Sequence, residues 1–216
     1  DTELLSLGLD TWGVSFALLD EQGALLGNPY HYRDARTDGM LEEAFRRVPK
    51  EEIFEQTGIQ FLQINTLYQL LSMVIQESPL LSAAETLLMT PDLFNYWFTG
   101  QKVSERTIAS TSQCFNPRTG DWAKSLTEGM GIPSHIFPHI VQPGAVLGEL
   151  LPAVADETGA SGVSVVAPGC HDTACAVAAV ARGHRAVALD INPFLVWLGN
   201  AKLARYGPDA RRRARA

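Results

Sequence analysis

No stretch of the 216 residues is long and apolar enough to span a bilayer, so a membrane-embedded role is not expected. The first three residues, Asp1-Thr2-Glu3, are acidic where a secretory signal would be basic, which points to the cytoplasm. Cysteine is scarce. Cys114, Cys170 and Cys175 are odd in number, and Cys170 and Cys175 have the spacing of neither a redox pair nor a zinc knuckle, so no disulfide framework is expected. His135 and His139 have a zinc-like spacing, but Pro138 lies between them and no Cys or carboxylate partner recurs nearby, so no metal site is assigned. Basic residues are in deficit, 17 against 24 acidic, and the net charge of -7 disfavours general binding to nucleic acid. The sequence has no Gly-x-x-x-x-Gly-Lys-Ser/Thr phosphate loop, so nucleotide binding cannot be argued from that motif. What is left is a globular chain, 46% hydrophobic and 19% charged, able to bury a real core in one large or two small domains. Small molecules are the expected partners, and the oligomeric state is open.

The pattern along the chain is mixed α/β without an internal repeat. Leu4–Leu9 and Val14–Leu19 read as strands, and Asp20-Glu21-Gln22-Gly23 turns into a third extended piece near Ala24–Leu26. Helices are expected over 39–48, over Lys50–Thr57 with Gly58 as the stop, and over Thr66–Gln76, where Leu67, Leu70, Leu71, Val74 and Ile75 recur at helical spacing. Asn65 is placed to cap the last of these. Thr86–Met89 reads as a strand, and Thr90-Pro91 opens a helix that Gly100 ends. Asn116–Gly120 is a turn, Trp122–Met130 a helix, Ile132–Gly148 a Pro-rich irregular connection and Pro152–Thr158 a short helix.

The densest chemistry lies in Pro168-Gly169-Cys170-His171-Asp172-Thr173-Ala174. The β-branched run Val163–Ala167 before it reads as a buried strand, and Thr173–Ala179 after it as a helix of small residues. Asp172 therefore stands at a strand-to-helix junction, where it either caps exposed amides or serves as a carboxylate base. His171 is either a hydrogen-bonded junction residue or a ligand contact. Gly13 either relieves a turn beside a core Trp12 or lets a ligand approach the backbone. Gln60, Phe61 and Asn65 suit packing and capping as well as a pocket wall. Arg33, Asp34 and Arg36 read as a solvated salt-bridge cluster outside the site.

Seven segments in one order resemble the sugar kinases of the FGGY family, most closely the rhamnulokinases among them. They are Gly8–Val14 (Gly-Leu-Asp-Thr-Trp-Gly-Val), Tyr32–Thr37, Thr57–Phe61, Asn65–Leu70, Leu88–Asp92, Thr99-Gly100 and His171–Ala174. The resemblance implies an α/β fold, the first domain of a two-domain kinase of the actin-like, ribonuclease H-like superfamily, over residues 4–188. It implies ATP-dependent phosphorylation of L-rhamnulose at its 1-hydroxyl, with Mg2+ accompanying the nucleotide. By the same resemblance Asp172 is the catalytic base, and Gly13, His171, Asp172 and Thr173 bind the ketose. Phosphoryl transfer suits such residues, because it needs a positioned hydroxyl and a proton acceptor more than covalent chemistry.

The chain also departs from the family pattern. The first phosphate hairpin, the Ser-Ser-Gly-Thr-Trp-Ser phosphate segment and the second domain are not found, so the domain is expected to be incomplete at both ends and its activity by itself is in doubt. Where the Ser-rich segment belongs, the sequence reads Leu189-Asp190-Ile191-Asn192-Pro193-Phe194-Leu195-Val196-Trp197. Codons can be chosen for this stretch whose second frame reads Trp-Ile-Ser-Thr-x-Ser-Trp-Ser, so residues 189–216 are either a frameshifted tail or a genuine basic, disordered one. Two functional readings follow: the sugar-binding portion of a rhamnulose-phosphorylating kinase, or a noncatalytic sugar-binding or regulatory module. A kinase acting on another ketose, such as L-fuculose or D-xylulose, is a narrower alternative.

Overall fold

The computed structural model describes residues 4–172 and residue 175. Thr173, the rest of the expected helix over 173–179 apart from Cys175, the domain boundary at 188 and the tail beyond it lie outside them. The elements run β1 (Ser6–Leu7), β2 (Phe16–Leu19), α1 (Met40–Arg47), α2 (Lys50–Thr57), α3 (Thr66–Ile75), α4 (Pro79–Ser82), β3 (Thr86–Met89), α5 (Thr90–Thr99), β4 (Val103–Glu105) and α6 (Arg106–Ser110). They continue with β5 (Phe115–Asn116), β6 (Asp121–Trp122), α7 (Lys124–Gly129), β7 (His139–Val141), β8 (Ala145–Glu149), α8 (Pro152–Thr158) and β9 (Ser164–Ala167).

Among the described residues the strands pair in four small sets. β9 lies between β1, which is parallel to it, and β8, which is antiparallel; β2 pairs antiparallel with β3, β4 parallel with β7, and β5 with β6 as a hairpin. All four residues of β2 and all four of β3 are buried, which explains why their sequences, apolar except for Thr86, do not alternate. Helix α3 is buried from Thr66 through Met73, and its Leu67, Leu70 and Leu71 join Ile53, Leu87, Met89, Ile108, Leu126 and Val165 in the main core. Each such side chain withdrawn from water contributes about 1.5–3 kcal/mol before chain entropy is set against it.

Local stop signals work as the sequence suggests. Gly58 and Gly100 take left-handed conformations just past α2 and α5, with φ of 66° and 77°, and their amides close back on Phe54 and Tyr96. Other expectations fail for tertiary reasons. The first strand is only Ser6–Leu7, and Leu4 and Leu5 are exposed. Trp122 belongs to β6, opposite Phe115, because the Asn116–Gly120 turn makes a hairpin; the helix starts only at Lys124. The supposedly irregular 132–148 stretch holds β7 and most of β8, whose partners β4 and β9 are distant in sequence. Asn65 occupies the N-cap position of α3 but makes no capping bond; its Nδ2 donates to Gln113 Oε1 at 2.8 Å and to the Gln60 carbonyl at 3.0 Å.

Candidate active site

The end of β9 runs into Pro168-Gly169-Cys170-His171-Asp172, and the chain after β1 reaches the same place from the other side. The Thr11 amide donates to the Cys170 carbonyl at 3.0 Å, and the Asp172 amide donates to the Thr11 carbonyl at 3.0 Å. Thr11 and His171 thus form one parallel rung beyond the β1–β9 ladder. Gly13 follows two residues after the Thr11 side of this rung, and Asp172 one residue after the His171 side. His171 Nε2 lies 3.3 Å from Asp172 Oδ1, and the Asp172 side chain remains 56% exposed. A carboxylate that is exposed and flanked by an imidazole can accept a proton from a solvent-borne hydroxyl.

Gly13 opens a tight three-residue turn in which the Ser15 amide donates to the Gly13 carbonyl at 2.9 Å and Val14 has a φ of 65°. This is a strained conformation for a β-branched residue, and it persists only where surroundings over-determine it. Three side chains do so: the Val14 amide donates to Thr111 Oγ1, while its carbonyl accepts from Thr66 Oγ1 and Gln69 Nε2. A Cβ on Gly13 would stand 2.8 Å from Thr111 Oγ1 and 2.9 Å from Thr111 Cβ and Cγ2, so only glycine fits. Trp12 is not a core residue; it is 52% exposed, and its indole N–H donates to Ser15 Oγ at 3.0 Å.

Beneath the junction are two buried carboxyl groups that the sequence did not single out. Glu105 is fully buried and caps α6, accepting from the Thr107 and Ile108 amides, from the Thr107 hydroxyl and from the Cys170 amide at 3.0 Å. Thr107 Oγ1 in turn accepts from the His171 amide at 3.2 Å. Asp92, 1% exposed, accepts from Ser104 Oγ at 2.6 Å and from the Glu105 amide at 3.0 Å. Burial pushes the Asp92 carboxyl up to about 8, although those two hydrogen bonds pull the other way. Glu105 meets Cys170 across 65 positions of sequence, a contact that only folding brings about.

The remaining candidates separate. Gln113 Nε2 donates to the Ile59 carbonyl, and together with the Asn65 bonds this fixes the 59–65 loop from inside, so Asn65 serves as packing. Arg36 is not part of a solvated salt-bridge cluster: its guanidinium lies 3.9 Å over the Tyr30 ring and donates to Gln69 Oε1 at 3.0 Å. Asp34 caps the turn at Ala35 by accepting from the Arg36 amide. His135 Nε2 lies 3.0 Å from the Ala84 carbonyl. Among the described residues no group of three or more His, Cys, Asp or Glu gathers to hold a metal ion. Among them, too, no helix is long and apolar enough to cross a membrane.

Comparison with known proteins gives a consistent result. The sequence profile of the N-terminal domain of the FGGY family of carbohydrate kinases matches residues 2–179. The chain is 44% identical over 176 residues to a rhamnulokinase of Oceanobacillus iheyensis, covering 82% of this chain and 37% of that one. It is 41% identical over 178 residues to a rhamnulokinase of Halalkalibacterium halodurans, covering 82% and 38%. The chain thus spans little more than a third of the length of these relatives. In structure it is similar to gluconate kinase from Lactobacillus acidophilus, with a TM-score of 0.77 at 20% identity over 84% of this chain and 37% of the other. That likeness bears out the expected α/β fold class.

Proposed function

Because the chain belongs to the FGGY family of carbohydrate kinases, we propose that it forms the sugar-binding part of a kinase that phosphorylates L-rhamnulose on its 1-hydroxyl. In this reading Asp172 accepts the hydroxyl proton as the oxygen attacks the γ-phosphorus of ATP; the products are L-rhamnulose 1-phosphate and ADP. His171 and Thr173 contact the ketose, and the Gly13 turn brings backbone against it. The observation that carries the reading is the Thr11–His171 rung, which joins the segment leading into the Gly13 turn to the residue before the exposed Asp172 carboxylate. Identity to two rhamnulokinases supports L-rhamnulose over other ketoses.

Nucleotide and Mg2+ enter as the second substrate and its counter-ion, held outside the described residues, and the reaction takes place in the cytoplasm. The site's own contribution is to hold the hydroxyl and take its proton, and such base catalysis gives roughly 10²–10⁴-fold in rate. The test is a panel of ketoses offered with Mg-ATP, followed by ADP release. Turnover with L-rhamnulose well above that with L-fuculose or D-xylulose supports the assignment, and preference for either alternative overturns it. L-rhamnulose binding with no turnover of any ketose would instead support the noncatalytic sugar-binding module.

A further inference from the structure

We infer that the short segment Glu105–Thr111 is a bracket that sets the position of Asp172 relative to the Gly13 turn, with Glu105, Thr107 and Thr111 as positioning residues; the inference rests on the kinase reading of that site. The two halves of the site come from opposite ends of the sequence, and the rung at Thr11 is their direct backbone link. The bracket supplies a second link through one element. At its N-terminal end, the Thr107 hydroxyl donates to Glu105 Oε2, so its lone pair is left to accept from the His171 amide at 3.2 Å. Glu105 Oε2 accepts from the Cys170 amide as well, at 3.0 Å. At its C-terminal end, the Thr111 hydroxyl donates to the Ile108 carbonyl at 2.7 Å and accepts from the Val14 amide at 3.1 Å.

The same device is used twice. Each threonine hydroxyl is oriented by an acceptor on the bracket, and each presents a lone pair to one amide of the site. A strand that ends at β9 and a turn at Val14 both leave backbone amides that must find acceptors, and the bracket provides three of them. Glu105 anchors the whole from the core side, because its own amide donates to the buried Asp92 at 3.0 Å. The Glu105 carboxylate accepts from donors on Thr107, Ile108 and Cys170. An amide in its place would turn an N–H toward another N–H or toward the Thr107 hydroxyl.

The experiment compares Thr107→Val, which keeps the volume and removes the hydroxyl, with Thr107→Ser, which keeps the hydroxyl. Amide hydrogen exchange is read residue by residue in the 216-residue chain, and L-rhamnulose binding is measured by calorimetry on the same samples. Thr107→Val should speed exchange at His171 about tenfold, the loss of one hydrogen bond, and weaken L-rhamnulose by a similar factor, while Thr107→Ser restores both. Thr111→Val should do the same at Val14 and leave His171 unchanged. Unaltered exchange at His171, or equal behaviour of the Val and Ser variants, overturns the bracket. If the unmodified chain takes up no L-rhamnulose, the kinase reading fails by itself, and the exchange rates alone decide whether the bracket holds the junction.

Discussion

Gly13→Ala should destabilise the fold because of one neighbour. The added Cβ would lie 2.8–2.9 Å from three side-chain atoms of Thr111, closer than carbon approaches carbon or oxygen without displacement. Thr111 cannot yield freely, since its hydroxyl both donates to Ile108 and accepts from the strained Val14. Overpacking of this kind costs about 1–3 kcal/mol, and a displaced hydroxyl forfeits about 0.5–1.5 kcal/mol for each hydrogen bond it breaks. The expected total is about 2–4 kcal/mol, or a melting temperature lower by about 5–10 °C for a chain of this size. Urea and thermal unfolding of the variant give the number. In a Thr111→Gly background the three obstructing atoms are gone, and the penalty of Gly13→Ala should largely vanish. A Gly13→Ala chain that melts like the parent, or one whose penalty survives Thr111→Gly, would refute the close-approach argument.

Two further outcomes follow from local chemistry. The folded chain holds a proton on Asp92 up to pH about 8, whereas an unfolded Asp releases it near pH 4, so stability should fall as pH rises through that window, by at most about 1.4 kcal/mol per unit. Asp92→Asn cannot titrate and can still meet Ser104 and the Glu105 amide, so urea midpoints at pH 5 and pH 8 should lie closer together than in the parent; parallel profiles would contradict it. Glu77, exposed and at φ 49° just past α3, occupies the position where the Ser78 amide closes on the Met73 carbonyl. Glu77→Gly should raise stability by about 1 kcal/mol, and an unchanged or lower melting temperature would show that its side chain matters more than its backbone.

Elements defined by neighbouring residues were legible in the sequence. Pro91 and Gly100 bound α5 and Gly58 ends α2 through backbone geometry that depends on those residues alone. Elements defined by remote pairing were not. His139-Ile140-Val141 is too short and too close to proline to announce a strand, and it is one because Val103-Ser104-Glu105 runs beside it. The site shows the same division. Asp172 and Gly13 stand in segments whose wording is specific, whereas Glu105, Thr107 and Thr111 are ordinary polar residues whose roles arise from contacts with Cys170, His171 and Val14 across the fold. Arg36 belongs with them, since its partner Gln69 and the Tyr30 ring are brought to it only by folding.

The proposed phosphoryl transfer depends on Asp172 as the base for a ketose hydroxyl. The direct measurement is L-rhamnulose-dependent ADP release from Mg-ATP, compared between the parent chain and Asp172→Asn. With Asp172 as the proposed base, turnover falls roughly 10²–10⁴-fold in the variant, with L-rhamnulose affinity changed far less. Turnover that is the same with aspartate and asparagine at position 172 would contradict it.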